Sequence, residues 1–227
     1  MTDAHASSAA GEFVLESPHL REFIGYVEKI RAHESEPRAI FAAIRPHFAD
    51  LLADKEWLPD QYQELAPEGG MGRNIGMWLL YRASDGGLAL SSLVIPPGVE
   101  TPVHDHLAWG LVGLYRGTQD EDVFARQDNG ADEERAILNV SEQHSLAPGD
   151  FYELLPENDI HRVRTTSEVT SVSLHLLGND NGCIWRHRYD PEAGTVEPFR
   201  SGYVNVPCES MIEPPSVAPA DAVTRHD

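Results

Sequence analysis

From about Met71 onward the chain is a succession of short apolar runs, MWLLYR, LALSSLVI, WGLVGLY, DVFAR, AILNV, RVRTT, TSVSLHLL and IWRHRYD, broken by Gly, Pro, Asn and Asp. Runs this short cannot make helices of useful length, and turn residues at such regular intervals punctuate strands. An all-β sandwich or barrel follows, and no alternation of helix and strand argues for a parallel sheet.

Ahead of that region the texture differs. Leu20, Phe23, Ile24, Val27 and Ile30, then Ile40, Phe41, Ile44, Phe48, Leu51 and Leu52, recur close to the helical repeat. The spacing predicts two amphipathic helices whose role is to cover one face of the β-domain. The expected organisation is an N-terminal arm over 1–14, a helical segment over 15–68, a β-domain over 69–208 and a tail over 209–227. Both ends lack apolar periodicity and are expected to be mobile.

Composition narrows the partners. Seventeen Lys plus Arg stand against 37 Asp plus Glu, a formal charge of −20, so nucleic acid and anionic membranes are repelled over most of the surface. The start resembles no secretory signal and no stretch is long enough to span a bilayer, so the chain reads as cytoplasmic. Cys183 and Cys208, the only two cysteines, give neither a metal-binding spacing nor a disulfide framework, and both are expected to be reduced.

One segment carries chemistry. In PPGVETPVHDHLAWGLVGLYRG, His104 and His106 sit two apart in an expected strand, so both imidazoles leave one face and Asp105 leaves the other. Five residues separate Gly98 from His104 and Gly117 closes the next strand, with Gly110 between. Further on, LAPGDFYELLPENDIHRV supplies Gly149, Pro156, Asn158 and His161. These spacings resemble the two cupin motifs, with Gly110 where an acidic ligand usually stands and Asn158 where a glycine does; Asn tolerates left-handed backbone. The resemblance implies a double-stranded β-helix, a jelly-roll-like barrel, holding one transition metal on His104, His106 and His161. Three neutral imidazoles bind one face of such an ion and leave other positions open.

Within cupins, HDHLAWGLVGLYRG, SVSLHLLG and FRSGYVN resemble the thiol dioxygenases of the cysteine and 3-mercaptopropionate dioxygenase type, over about Tyr81 to Asn205. That likeness implies one Fe(2+) per chain on three histidines, O2 as co-substrate, and oxidation of a small thiol carboxylate to a sulfinate. Gly110 fits a centre without an acidic ligand and excludes the Cys–Tyr cross-link of some members. The family's outer Ser-x-His-x-Tyr arrangement is kept as Ser173 and His175, but Leu177 replaces the tyrosine. Tyr189 and Tyr203 are the phenols that could substitute. A carboxylate receptor is expected among Arg82, Arg186 and Arg188, because the guanidinium fork suits a carboxylate. Cupins commonly pair, so the resemblance allows a homodimer.

Other features read as structural. His144, His187 and the remaining histidines have no partner spacing, and Gly69-Gly70-Met71-Gly72, without a following Lys, is a turn entering the barrel and not a phosphate loop. Two rivals stay open: a cupin oxygenase or isomerase acting on a substrate without sulfur, and a non-enzymatic small-molecule-binding cupin.

Overall fold

The computed structural model describes residues 11–66, 71–72 and 74–208. Its elements are β1 (Glu12–Phe13), α1 (Pro18–Arg31), α2 (Pro37–Ala53), β2 (Gly76–Arg82), β3 (Ala89–Ile95), β4 (Val103–His104), β5 (Gly110–Arg116) and β6 (Gln119–Arg126). They continue with β7 (Leu138–Leu146), β8 (Phe151–Leu154), β9 (His161–Thr165), β10 (Ser171–Leu177), β11 (Arg186–Asp190) and β12 (Thr195–Phe199).

Both helices start on signals written in the sequence. Ser17 accepts from the Leu20 amide ahead of Pro18, and the Glu36 carboxylate accepts from the Arg38 and Ala39 amides ahead of Pro37. Their apolar stripes, Leu20, Phe23, Ile24 and Val27 with Ile40, Phe41, Ile44, Phe48, Leu51 and Leu52, are all buried. They pack on Leu90, Val94, Leu111, Val172, Leu174 and Leu176 of the first sheet.

Two six-stranded antiparallel sheets form, in the orders β1-β2-β3-β10-β5-β8 and β12-β11-β4-β9-β6-β7. Within them β3 pairs with β10, β4 with β9, β5 with β8 and β6 with β7. Strands three to six therefore run against strands seven to ten as one long hairpin wound into a barrel, with successive strands alternating between the sheets. This is the jelly-roll winding of a double-stranded β-helix, and the mainly β class with a helical segment packed on it is what the chain adopts.

β10 shows why the sequence folds this way. All seven of its residues are buried, because Val172, Leu174 and Leu176 meet the helices while Ser173, His175 and Leu177 take the alternate face inside the barrel. Gly98 and Gly117 adopt φ of +71° and +79°, conformations that favour glycine.

Several expectations need correction. Glu12 and Phe13, assigned to a mobile arm, pair with Arg82 and Tyr81 of β2. Asn158 does not use left-handed backbone; it sits in a short 3-10 turn and bonds the Leu155 amide and the Glu153 carbonyl through its side chain. Cys183 and Cys208 are joined in a disulfide. Gly69, Gly70 and the tail from Glu209 lie outside the described residues. Among the described residues no helix is long and apolar enough to cross a membrane.

Candidate metal centre

His104 and His161 face each other in register across the β4–β9 pair, so the sheet itself brings two imidazoles together. β4 ends at His104, and His106 lies just beyond it, not within the expected strand. Its place is fixed instead by Asp159, whose carboxylate accepts from the His106 and Leu107 amides and meets His106 Nδ1 at 2.9 Å. Leu107, at φ +53°, turns the chain there into a conformation that non-glycine residues seldom adopt. From the other side Asn179 and Asn181 each donate to the His106 carbonyl at 3.0 Å.

One ligand atom from each of the three histidines lies within 4.8 Å of the others, and all three rings are buried. Each Nδ1 already has a partner: the Pro102 carbonyl for His104, Asp159 for His106 and Glu121 for His161, the last at 2.5 Å. Such partners fix the tautomer with the proton on Nδ1 and leave the Nε2 lone pair free. His161 Nε2 is buried with no hydrogen-bond partner, which is costly unless something occupies that lone pair. Burial first, then the neighbouring histidines and Arg186, holds His104 and His106 well below the usual imidazole range, so both are neutral donors. A borderline divalent transition metal fits this all-imidazole set. Among the described residues no carboxylate or thiolate joins it.

Beside the histidines is a cavity of only about 10 Å³, bounded further by Met71, Met77, Leu93, His175, Asn181 and Arg186. Ser173 and His175, paired by expectation, are hydrogen-bonded, Oγ to Nε2 at 2.9 Å. Burial, followed by His161 and Arg186, lowers His175 to about 3, so it is neutral at physiological pH.

The three candidate arginines separate. Arg186 is buried against the cavity, donates to the Asp105 carbonyl at 2.6 Å and Ser201 Oγ at 3.2 Å, and stacks over Phe199; its Nε has no partner. Burial brings it down to about 10, which still leaves it cationic. Arg82 instead meets Glu12 at 2.7 Å and Asp180 at 3.7 Å, and Arg188 is exposed and pairs with Glu197. The structure does not bring either to the cavity. Nor do the alternative phenols reach it: Tyr189 donates to Asp105 and Tyr203 to Asp180.

Gly110 and Leu177 stand opposite each other in the β5–β10 register. A Cβ on Gly110 would come within 2.5 Å of both Leu177 Cδ2 and the Leu176 carbonyl oxygen. Leucine thus fills the space that a side chain at Gly110 would need, so Gly110 and Leu177 form one packing arrangement.

Glu121, Asp159 and the Asn179–Asn181 pair carry no spacing signal in the sequence, and nor do the contacts of His144 and His187. His144 meets Glu121 at 3.0 Å, and His187 meets Asp105 at 2.6 Å. The available signals were slight: an Asp two residues before His161, and an Asn-rich loop after β10.

No family model matches the chain. Among solved structures it is similar to oxalate oxidase (16% identity over 42% of this chain and 43% of that one, TM-score 0.34). Others are oxalate oxidase in complex with the substrate analogue glycolate (13%, 56% and 61%, TM-score 0.40) and the Schizosaccharomyces pombe Cnp3 cupin domain (10%, 48% and 63%, TM-score 0.37). The chain spans less than two thirds of the length of each. At such identities and scores the likeness says nothing about chemistry; the jelly-roll winding and the buried histidine triad stand on the chain's own geometry.

Proposed function

We propose that the chain is a non-haem iron dioxygenase that converts a small thiol carboxylate, such as cysteine or 3-mercaptopropionate, into a sulfinate. The observation that carries this reading is a buried three-imidazole set without an acidic fourth ligand, two of whose members, His104 and His106, share a small cavity with the buried cationic Arg186. A ferrous ion on His104, His106 and His161 would supply the site that binds thiolate and activates O2. Both oxygen atoms end on sulfur, RSH + O2 giving RSO2H, so no external reductant is needed.

The chain's own residues provide the rest. Arg186 has donor capacity left at Nε for a carboxylate, while its other nitrogens are anchored to Asp105 and Ser201. Its guanidinium is thereby held in one orientation, which fixes where the thiol end must lie. His175, neutral and tethered by Ser173, holds a proton beside the reacting atoms. The cavity admits nothing larger than about one water, so Met71 and Met77 must repack around a substrate, a movement suited to unbranched side chains.

Oxygen uptake by iron-loaded protein with cysteine, 3-mercaptopropionate and mercaptosuccinate, with mass detection of the sulfinate, tests this reading. Turnover of at least one thiol is expected; none at full iron occupancy overturns it. Leu177, in place of the family tyrosine, favours the second reading, an oxygenase or isomerase on a substrate without sulfur. Manganese, nickel or zinc in protein purified without added metal would support that one.

A further inference from the structure

Glu121 is a buried carboxylate of β6 that contacts a metal-ligand candidate on one side and a partly exposed histidine on the other. Its Oε1 takes His161 Nδ1 at 2.5 Å and its Oε2 takes His144 Nδ1 at 3.0 Å. His144 stands directly across from Glu121 in the β6–β7 register, and His161 is paired two residues further along β6, with Val123. The three side chains therefore step across neighbouring strands β9, β6 and β7 to the edge of the sheet. There His144, its side chain 38% exposed, lines a cleft of about 310 Å³ with Gln143, Arg162 and Arg164.

The other two ligands have no such connection. His104 rests on a backbone carbonyl, and the carboxylate behind His106 is closed off by backbone amides. Tyr152, on β8 of the facing sheet, also reaches His161 Nδ1, at 3.3 Å, and hydrogen-bonds Glu121, so it braces the same carboxylate from the other side. A carboxylate hydrogen-bonded to a ligating imidazole fixes its ring and raises its basicity. Whatever holds that carboxylate then acts on the metal at one remove.

We infer that Glu121 and His144 are positioning residues for His161: Glu121 orients the ligand and His144, from the outer cleft, holds Glu121, so a change at the sheet edge is felt at the ion. This rests on the metal-site reading alone and is independent of which substrate is used.

Cobalt(II) titration of the purified full chain, read by its visible absorption bands, tests the inference with the metal as the only probe. Glu121→Gln should weaken binding by about 10- to 100-fold. His144→Ala should weaken it by roughly 3- to 10-fold, as expected for one lost hydrogen bond, and alter the bands, while His144→Gln, which keeps an amide donor, should restore both. The double variant Glu121→Gln/His144→Ala should bind no worse than Glu121→Gln, since His144 acts only through the carboxylate. Thermal melts of the metal-free variants at about pH 8, above the range in which protonated His144 stabilises the fold, separate this from general destabilisation: those of the His144 variants should lie close to the wild type. Equal affinity and bands in wild type and His144→Ala, or losses that add in the double variant, overturn the inference and leave the metal site intact. A wild type that binds no cobalt overturns both.

Discussion

At Gly110 there is no room for any side chain, because the Leu176 carbonyl is fixed by the sheet and Leu177 can retreat only by disturbing the barrel interior. Gly110→Ala should therefore cost about 1–3 kcal/mol, the range for overpacking a dense core. Chemical denaturation would show it, and a variant as stable as the wild type would mean that β5 and β10 can separate there. Arg186 makes a different demand. If its Nε receives the substrate carboxylate, Arg186→Gln should lower kcat/KM for a thiol carboxylate by roughly 10- to 100-fold, the worth of a charged hydrogen bond. A thiol lacking the carboxylate should be affected far less, and equal losses for both would make Arg186 a purely structural partner of Asp105. At this scale the sequence was readable where chemistry is local. The spacing of His104 and His106 announces a shared ligand face, and Ser173 with His175 announces its own hydrogen bond. Glu121 and Asp159 were not readable, because they lie 40 and 53 residues from the imidazoles they support and meet them only once the strands have paired.

Elements with a strong period were legible as well. Both helices, and most of the short apolar runs, form where hydrophobic spacing and turn residues put them, since burial on one or both faces is what that spacing encodes. β8 and β12 were missed because FYEL and TVEPF are too short to show a pattern. His106 falls outside the expected strand, which stops at His104, since Asp159 captures the His106 and Leu107 amides and turns the chain. The disulfide was invisible for a related reason: two cysteines 25 residues apart carry no spacing signal, and only the return of the chain after β12 to the loop after β10 makes them neighbours. The disulfide ties the segment bearing Ser201, a partner of Arg186, to the loop whose asparagines hold His106. Closing a loop of this length should contribute about 3 kcal/mol to stability. A Cys183→Ser/Cys208→Ser protein should lose that amount in denaturant unfolding, and the untreated wild type should show no free thiol to a thiol reagent. Two titratable thiols in the native protein would contradict the bond.

Over the whole molecule, acid should act through the buried imidazoles before it acts through the acidic surface. His104, His106 and His175 are all held below the ordinary imidazole value by burial. An unfolded chain protonates these residues below about pH 6.5 while the native one does not. The unfolded state therefore binds more protons in that range, and stability falls as pH falls, each histidine contributing about 1.4 kcal/mol per pH unit. His144 and His187 work the other way, raised by Glu121 and Asp105 respectively; their stabilisation is present below pH 6.5 and is lost as pH rises through their folded values. Both are partly exposed, so solvent screens their gain, and the three buried rings should dominate. The net charge of −20 does not reverse this, since most carboxylates titrate near pH 4 and self-repulsion is little changed between pH 6.5 and 5.5. Metal binding needs the unprotonated Nε2 atoms, so an ion should oppose the acid transition. Thermal melts at pH 7.5, 6.5 and 5.5 should show the metal-free protein losing stability from pH 6.5 downward and the iron- or cobalt-loaded protein keeping it to a lower pH. A metal-free melting temperature that stays flat across this range would mean that His104, His106 and His175 are solvated in the native state, and that the buried site requires an ion to form.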